Sequence, residues 1–114
     1  MVKAAYVPDA SDFVWLTFDP EAGRERAGRR PALVVSPKTY NARSGLALVC
    51  PVTNQVKGYP FEVAVPAGSG ATGVVLADHV KRVDWKARRA ELLGRCSDDV
   101  IGEVRAKLGA LLGC

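Results

Sequence analysis

The sequence predicts a mainly β, α+β fold: a small, strongly bent sheet or barrel covered by a C-terminal helix. Two observations predict it. Short segments rich in apolar and β-branched residues recur between residues 13 and 96, separated by residues that favour turns. From residue 97 onward, apolar residues instead recur at helical spacing. A chain of 114 residues has room for one core, so we expect a single domain over residues 1–114.

The first two predicted strands flank a basic loop. Residues 13–18 are aromatic and β-branched, which is typical of a strand, and Asp19 and Pro20 end it. The loop that follows runs to Arg30, and we expect it to be exposed. Residues 32–36 are nearly all apolar, which predicts a strand in the centre of the sheet.

A short helix and a third strand come next. Ser36 and Pro37 predict the start of the helix, with Ser36 as its N-cap and Pro37 in its first position. We expect this helix to end by Gly45. Residues 46–52 then form an apolar strand that Pro51 interrupts near its end.

Three further strands are predicted before the C-terminal helix. Residues 61–65 alternate between polar and apolar, which indicates a strand with one face in water. Residues 68–70 form a hairpin loop, and residues 74–83 resume strand character. The last short strand covers residues 92–96.

The C-terminal helix has signals at both ends. Ser97 caps it, and Gly113 ends it. Asp98 and Asp99 lie in the first turn, where the helix dipole favours acids. Six residues form an apolar stripe along it: Val100, Ile101, Val104, Leu108, Leu111 and Leu112. A stripe of this width covers the sheet or faces a second subunit, and the sequence is compatible with both.

The charge pattern favours a polyanionic partner. The formal net charge is +4. Two clusters hold many of the cations, with one acid in each: Arg24, Arg26, Arg29 and Arg30 in the first, and Lys81, Arg82, Lys86, Arg88 and Arg89 in the second. Each cluster alone fits a solvated loop, whereas two in one small domain also fit a phosphate-binding surface.

Several classes of function are excluded by what the sequence lacks. No apolar stretch is long enough to cross a bilayer and no signal peptide follows Met1, so we expect a cytoplasmic protein. The three cysteines form no CxxC pair, which argues against zinc. The single histidine, His79, excludes a two-histidine ribonuclease, and no G-x-S-x-G, Walker or HExxH motif is present.

One group of polar residues remains as a candidate site. Glu25 and Arg30 share the basic loop, and Thr53 lies at the end of a predicted strand. Polar side chains that are held at strand ends and aimed at a basic loop can form a site. Three further polar residues follow closely: Asn54, Gln55 and Lys57. The residues alone also fit an ordinary solvated loop and turn.

A series of short segments occurs in the order of a known family. The segments are Phe18-Asp19-Pro20, Glu25 with Ala27-Gly28-Arg29-Arg30-Pro31-Ala32, Ser36-Pro37 with Tyr40-Asn41, Cys50-Pro51-Val52-Thr53, Lys57-Gly58-Tyr59-Pro60-Phe61-Glu62-Val63, Leu76-Ala77-Asp78-His79-Val80-Lys81 and Asp84-Trp85. Any one of them would be a weak signal. Together, followed by the C-terminal helix, they resemble the MazF/PemK toxins over nearly the whole chain.

The resemblance implies a fold, an activity and partners. The fold would be an SH3-like small barrel of the CcdB/Kid/MazF type, with a short internal helix and a C-terminal helix. The protein would be a homodimer and the toxin of a toxin–antitoxin system, neutralised by a MazE-like antitoxin with an acidic C-terminal tail. Its activity would be that of an endoribonuclease, or mRNA interferase, which cuts single-stranded RNA at a short sequence with no metal or other cofactor.

The resemblance also implies catalytic residues, namely Glu25, Arg30 and Thr53. Arg30 would clamp the charge that develops on phosphorus or act as the general acid, and Thr53 would donate its hydroxyl to a phosphate oxygen or orient the 2′-hydroxyl. Glu25 or another group would be the general base. A metal-free reaction of this kind starts with attack by the ribose 2′-hydroxyl. It leaves a 2′,3′-cyclic phosphate and a 5′-hydroxyl.

RNA-binding candidates surround this group. The Lys57 region, Asp78 and His79 match positions that line the RNA groove in relatives. The remaining candidates are basic or amide residues nearby: Arg24, Arg29, Asn54, Gln55 and Lys81. Phe18 is either a stacking platform for a base or a core aromatic.

The sequence departs from the family pattern at two positions. His79 stands where relatives often have Gln, and Asn54 where a second Thr or Ser is common, so we expect a different RNA recognition sequence.

Two alternative functions are left open. One alternative is a toxin of the same fold that poisons a topoisomerase and cuts nothing. The other is an RNA-binding barrel module in which Glu25 and Thr53 have no catalytic role.

Overall fold

The computed structural model describes residues 5–18 and 28–114. Within these ranges it contains seven strands: β1 (Asp12–Thr17), β2 (Arg29–Val34), β3 (Leu46–Thr53), β4 (Glu62–Val65), β5 (Gly73–Leu76), β6 (Lys81–Asp84) and β7 (Glu91–Arg95). Two α-helices accompany them, α1 (Lys38–Ser44) and α2 (Asp98–Leu112). The predicted mainly β fold with an internal and a C-terminal helix is confirmed. None of the helices in the described ranges is long and apolar enough to span a bilayer.

The strands form one antiparallel sheet, which curls because β3 changes partner along its length. The strand order is β4-β5-β3-β2-β1-β7, and β6 pairs with β3 outside this path. Residues 46–49 of β3 pair with β6, whereas Val52 and Thr53 pair with β5. The sheet is therefore bent into a half-barrel. Strands β1, β3, β4 and β7 agree with the predicted segments to within one residue at each end.

The middle of the sheet is buried on both faces, which explains the continuous apolar runs within its central strands. Leu33 belongs to a core that also contains residues of α2. Its neighbour Val34 belongs to a second core, together with Leu16 and Trp85. Successive strand residues point to opposite faces, so the two cores lie on opposite sides of the sheet. The predicted central position of the second strand is confirmed, since β2 lies between β1 and β3.

Helix α2 covers one core with only part of its apolar stripe. Ser97 caps the helix as predicted, because its Oγ accepts a hydrogen bond from the Val100 N–H at 3.3 Å. Gly113 ends it with a left-handed φ of 77°. The buried part of the stripe comprises Val100, Ile101 and Val104. In contrast, Leu111 and Leu112 are 45% and 70% exposed, so the end of the stripe is uncovered.

The predicted start of α1 is wrong by one residue. Pro37 rather than Ser36 is the N-cap, and no side chain caps the helix. Ser36 is buried, and its hydroxyl is used elsewhere: Oγ donates to Asn41 Oδ1 at 2.6 Å and accepts from the Leu48 N–H at 2.9 Å. A hydroxyl that is committed to a long-range contact is not available to cap the adjacent helix.

Asn41 is the centre of this buried polar cluster. Its Nδ2 donates to the carbonyl oxygens of Pro8 and Ser36, at 2.8 and 3.0 Å. The backbone carbonyl oxygen of Asn41 accepts a hydrogen bond from Trp85 Nε1 at 2.9 Å. We call Ser36, Asn41 and Trp85 the Asn41 hub. It ties the N-terminal segment, α1 and the residue after β6 together.

The strand predicted over residues 74–83 is two strands. β5 ends at Leu76, and a single 3-10 turn over Ala77–His79 precedes β6. β5 pairs with the end of β3 and β6 with its start, so the chain has to follow the bend of the sheet between them. The turn absorbs this bend and leaves Asp78 and His79 exposed.

Candidate functional site

Arg30 and Thr53 lie opposite each other on neighbouring strands. β2 and β3 are antiparallel, with Ala32 opposite Pro51. Continuing this register by two residues on each strand brings Arg30, near the start of β2, opposite Thr53, the last residue of β3. Directly opposed residues present their side chains on the same face of a sheet. The register thus unites two of the three predicted catalytic residues.

A hollow of about 280 Å³ opens beside this pair, and we call it the Arg30–Thr53 hollow. Trp15, Asn54 and Thr72 are also in its wall. Asn54 Oδ1 accepts a hydrogen bond from the Thr72 hydroxyl at 3.0 Å, which leaves the amide N–H groups of Asn54 as donors. A guanidinium, a hydroxyl and an amide give this hollow the donors that an anion requires.

The hydroxyl of Thr53 is oriented by the backbone. Its Oγ1 accepts a hydrogen bond from the Gln55 N–H at 3.1 Å. An oxygen that already accepts directs its own proton toward a different acceptor. Gly73 packs against the same residue: a Cβ there would lie 2.1 Å from the Thr53 carbonyl oxygen, and φ is +102°. Only glycine fits this position, which lets β5 approach the strand end closely.

A second concavity, of about 240 Å³, also has Thr53 in its wall. We call it the Lys57 groove. The loop after β3 supplies one wall and the 3-10 turn after β5 another. The residues that line it with Thr53 are Gln55, Lys57, Tyr59, Glu62, Leu76, Asp78 and His79. Because Thr53 lines both concavities, the hollow and the groove adjoin each other at this residue.

The Lys57 groove offers both signs of charge and an aromatic ring. The ammonium of Lys57 lies 6.0 Å from the centroid of the Tyr59 ring, which is 61% exposed. His79 Nε2 is 3.8 Å from Asp78 Oδ1, and the two form an ion pair only when the imidazole is protonated. Exposed donors, acceptors and a ring face are the groups that recognise an unstacked base.

The thiol of Cys50, which lies near the groove, is made unreactive by its burial. Cys50 is fully buried, and its Sγ lies 3.9 Å from the carbonyl oxygen of Ala77, in the 3-10 turn. Burial raises the pKa of the Cys50 thiol to about 12, and the negative charge of Asp78 adds to the shift. At neutral pH Cys50 is therefore a protonated core residue, not a nucleophile. Across residues 5–18 and 28–114, no three His, Cys, Asp or Glu side chains cluster closely enough to hold a metal ion.

Arg29 lies away from both concavities, although it adjoins Arg30. Its Nη1 donates to Thr17 Oγ1 at 2.6 Å, and its Nη2 donates to the Arg89 carbonyl at 2.7 Å and to Glu91 Oε1 at 3.1 Å. Adjacent strand residues point to opposite faces, so the two arginines do not share a site. Arg29 instead ties β2 to the start of β7.

The remaining candidates from the sequence are Lys81, Phe18, Arg24 and Glu25, and the structure describes the first two of them. The ammonium of Lys81 lies 4.9 Å from the centroid of the half-buried Phe18 ring, outside both concavities. Phe18 packs against the core, which agrees with its interpretation as a core aromatic. Arg24 and Glu25 lie outside the described residues.

Among the wall residues that the sequence did not single out are Trp15, Tyr59 and Glu62. Trp15 lies in the middle of a strand, where an aromatic is expected in the core. Tyr59 and Glu62 fall in the segment 57–63, which carried the family resemblance and in which Lys57 was the residue given a role. A glutamate at the start of an otherwise apolar strand was the available signal for Glu62.

Known proteins resemble this chain in both sequence and structure. Residues 9–112 match the family model of the PemK-like, MazF-like toxins of type II toxin–antitoxin systems. The endoribonuclease toxin MazF of Escherichia coli K12 is 46% identical over 108 residues, which cover 95% of this chain and 96% of that protein.

Solved structures show the same likeness. MazF from Deinococcus radiodurans matches with a TM-score of 0.86 and 59% identity, covering 96% of this chain and 100% of that one. A MazE–MazF complex from the same organism matches with a TM-score of 0.86 and 57% identity, covering 96% and 98%. Likeness at this identity and coverage extends well beyond a shared fold. The chain belongs to the PemK-like, MazF-like toxins of type II toxin–antitoxin systems.

Proposed function

We propose that this endoribonuclease toxin cleaves single-stranded RNA at a short sequence and without a metal ion. The observation that carries the proposal is the pairing of Arg30 with Thr53 in a hollow that adjoins the Lys57 groove. The hollow has donors for a phosphate, and the groove has polar edges and a ring for bases. A phosphate and its flanking bases are the two parts of RNA that such an enzyme has to hold.

The reaction is an attack by the ribose 2′-oxygen on the adjacent phosphorus. A bond forms between O2′ and phosphorus, and the bond between phosphorus and O5′ breaks. The proton of the 2′-hydroxyl passes to a base, and the leaving O5′ takes up a proton. The products are a 2′,3′-cyclic phosphate and a 5′-hydroxyl end, and DNA is not a substrate because it lacks the 2′-hydroxyl.

Arg30 and Thr53 stabilise the charge that develops on phosphorus. A guanidinium binds two phosphate oxygens at once, and its effect is largest where negative charge increases in the transition state. Arginine keeps its proton to a pH above about 12, so we assign Arg30 an electrostatic role and not proton transfer. Thr53 donates its hydroxyl to a phosphate oxygen, an orientation that the Gln55 N–H favours.

We assign the general base to Glu25 on the strength of the family resemblance around residues 25–32. A carboxylate is the natural proton acceptor among the residues that the resemblance brings forward. A glutamate carboxylate is in general a weak base at neutral pH, which is consistent with a slow enzyme.

Base recognition is assigned to the residues of the groove and hollow. Gln55, Asp78 and His79 offer hydrogen-bonding edges, and Lys57 offers a cation for the RNA backbone. Asn54 is placed to contact the same bound RNA from the hollow. Because position 79 has an imidazole in place of the amide common in relatives, we expect an RNA recognition sequence different from theirs.

Cations outside the two concavities act on RNA through their electrostatic field. Arg29 bonds to Glu91 and Lys81 lies over the Phe18 ring, and we assign the same role to Arg24 of the basic loop that the sequence predicts. Positive charge around a groove raises the local concentration of RNA without reading its sequence. Removing these cations should change the salt dependence of RNA binding, while the position at which RNA is cut should stay the same.

Two protein partners complete the proposal. We expect a homodimer, which the uncovered Leu111 and Leu112 at the end of α2 support. We also expect a MazE-like antitoxin, because a relative is known in complex with MazE. An acidic C-terminal tail of the antitoxin would lie along the Lys57 groove and compete with RNA, more weakly at high salt.

The test is incubation of the purified protein with a long single-stranded RNA in EDTA, followed by mapping of the cut ends. We expect discrete cuts with 5′-hydroxyl ends, and a loss of at least about 100-fold in rate for Arg30→Ala. Arg43→Ala is the matched control, because Arg43 is an exposed arginine of α1 that lines neither the hollow nor the groove. It should cut normally.

Three results would contradict the proposal. Intact RNA after incubation with a folded, dimeric protein would favour the topoisomerase poison or the binding module. Cleavage that stops in EDTA and returns with a divalent cation would overturn the metal-free mechanism. A few-fold loss of RNA affinity in Arg30→Ala, with no specific loss of cutting, would indicate a binding role for this residue.

A further inference from the structure

Glu62, the first residue of β4, holds the loop that forms one wall of the Lys57 groove. Its Oε2 accepts from the Lys57 N–H at 3.0 Å, and its Oε1 accepts from the Gly58 N–H at 2.9 Å. Both carboxylate oxygens are thus bound to successive backbone donors. Hydrogen bonds to a charged acceptor are stronger than neutral ones, so this contact is the main candidate for fixing the loop.

The loop spans residues 54–61 and has no strand pairing of its own. Its far end has three other contacts. The Glu62 N–H donates to the Tyr59 carbonyl at 3.1 Å, Lys107 Nζ of α2 donates to the Pro60 carbonyl at 2.6 Å, and the Ala77 N–H donates to the Phe61 carbonyl at 3.0 Å. At the near end, the Gln55 N–H donates to Thr53 Oγ1 and the Val56 N–H to the Asn54 carbonyl, both at 3.1 Å. None of these contacts reaches Lys57. The backbone of Lys57 is therefore placed by the Glu62 carboxylate.

We infer that Glu62 is a positioning residue, which sets the place of Lys57 in the groove through the loop backbone. The inference rests on the proposed function, because it takes the groove to be the RNA site. It also predicts the sign of an effect. A carboxylate beside bound RNA repels phosphates, so removal of its charge alone would tighten binding. Removal of a positioning contact weakens binding instead.

Glu62→Gln is the first test. The glutamine side chain has the same length, but its NH₂ group cannot accept from a backbone N–H, so one of the two loop donors loses its partner. We expect KM for cleavage to rise about tenfold while kcat changes less than about threefold. The Kd of a short mixed-sequence RNA that carries 2′-O-methyl groups throughout should rise in parallel. Glu62→Asp keeps both acceptor oxygens and should recover part of the affinity.

Asp99→Asn is the matched control. Asp99 is an exposed aspartate in the first turn of α2 that lines neither concavity, so the variant makes the same carboxylate-to-amide change away from the loop. Its KM should equal that of the wild type. A tenfold rise in this control would indicate that the effect of Glu62→Gln comes from net charge, which overturns the inference.

Gly58→Ala disturbs the same turn without any change of charge. Gly58 has a left-handed φ of +79°, and nothing lies within 4 Å of a Cβ built there, so alanine strains the backbone without a clash. We expect a rise in KM with little change in kcat, as in Glu62→Gln. An unchanged KM would contradict a role for the turn.

Amide hydrogen exchange at Lys57 and Gly58, measured without RNA, tests the contact independently of cleavage. Faster exchange in Glu62→Gln together with weaker RNA binding supports the inference. Unchanged exchange, tighter binding, or a loss of more than about 100-fold in kcat at constant KM overturns it. If the wild type binds the methylated RNA but leaves unmodified RNA intact, the proposed cleavage fails, while exchange and Kd still decide the role of Glu62.

Discussion

Polar side chains hold the backbone in two parts of this molecule, in opposite surroundings. In the Asn41 hub the amide of Asn41 is fully buried, and its groups bond to Ser36 and Pro8 inside the protein. In the Lys57 groove, Thr53 and Glu62 also bond to the backbone, but the residues that they support are exposed. The chemistry of the contacts is similar, and only the access of water differs.

This difference separates stability from function. When a partner is removed in the hub, no water replaces it, and the remaining groups bear the full cost of burial without a hydrogen bond. When a partner is removed in the groove, water substitutes, so the unfolding free energy changes little while the placement of a side chain changes. We therefore expect hub variants to lose stability and groove variants to lose activity.

Asn41→Ala should give the largest loss of stability. It leaves the Ser36 hydroxyl and the carbonyls of Ser36 and Pro8 without their partner, at a cost of about 3 kcal/mol in the free energy of unfolding. Asn54→Ala makes the same change in the exposed hollow and should cost less than about 1 kcal/mol. Urea denaturation of both variants checks this. Equal costs would remove the distinction between the buried hub and the exposed site.

Gly73→Ala should be the exception among the site variants. A Cβ at position 73 would lie 2.1 Å from the Thr53 carbonyl oxygen, so the end of β3 has to shift. We expect a loss of about 2 kcal/mol in the free energy of unfolding together with a loss of cleavage. The control is Gly102→Ala, an exposed helix position with nothing within 4 Å, which should stabilise the protein by up to about 1 kcal/mol. A fully stable, active Gly73→Ala protein would contradict the predicted clash.

Alkaline pH should weaken the core that contains Cys50. The pKa of the Cys50 thiol is raised by burial from 9.0 to about 12, so between these values the unfolded chain loses a proton that the folded chain keeps. Stability is therefore complete below pH 9 and falls as the pH rises, by at most about 1.4 kcal/mol per unit for this group. Burial also raises the pKa of Tyr6 and of Cys96, which act in the same direction.

Urea denaturation at several pH values between 8 and 10.5 measures this slope. Cys50→Ala lacks the thiol and should show a shallower decline than the wild type. Identical declines would show that the Cys50 thiol does not contribute.

Thr53→Val should have the smallest effect on stability. Valine keeps the shape of the side chain and frees only the exposed Gln55 N–H to bond with water, at less than about 1 kcal/mol. Because the hydroxyl is lost from the proposed site, kcat should fall by about 10- to 100-fold. Parallel measurement of kcat and of unfolding decides the point. An unchanged kcat would remove Thr53 from the mechanism, and a large loss of stability would place it with the hub.

Features that depend on near neighbours in the chain followed from the sequence by itself. The caps at Ser97 and Gly113 act within one turn of α2, and alternation or continuous apolar character marks each strand locally. The family was recognisable for a similar reason, since its short segments occur in order along the chain. Arg30 and Thr53 could be selected in this way, as strand-end residues beside a basic loop.

Features that depend on pairing across the sheet were decided only by the tertiary structure. Ser36 bonds to Leu48 rather than to its own helix, and the segment 74–83 breaks where the two ends of β3 take different partners. The register of β2 and β3 brings Arg30 to Thr53, while alternation along β2 turns Arg29 away. Contacts such as these join residues far apart in the chain, so no local pattern encodes them.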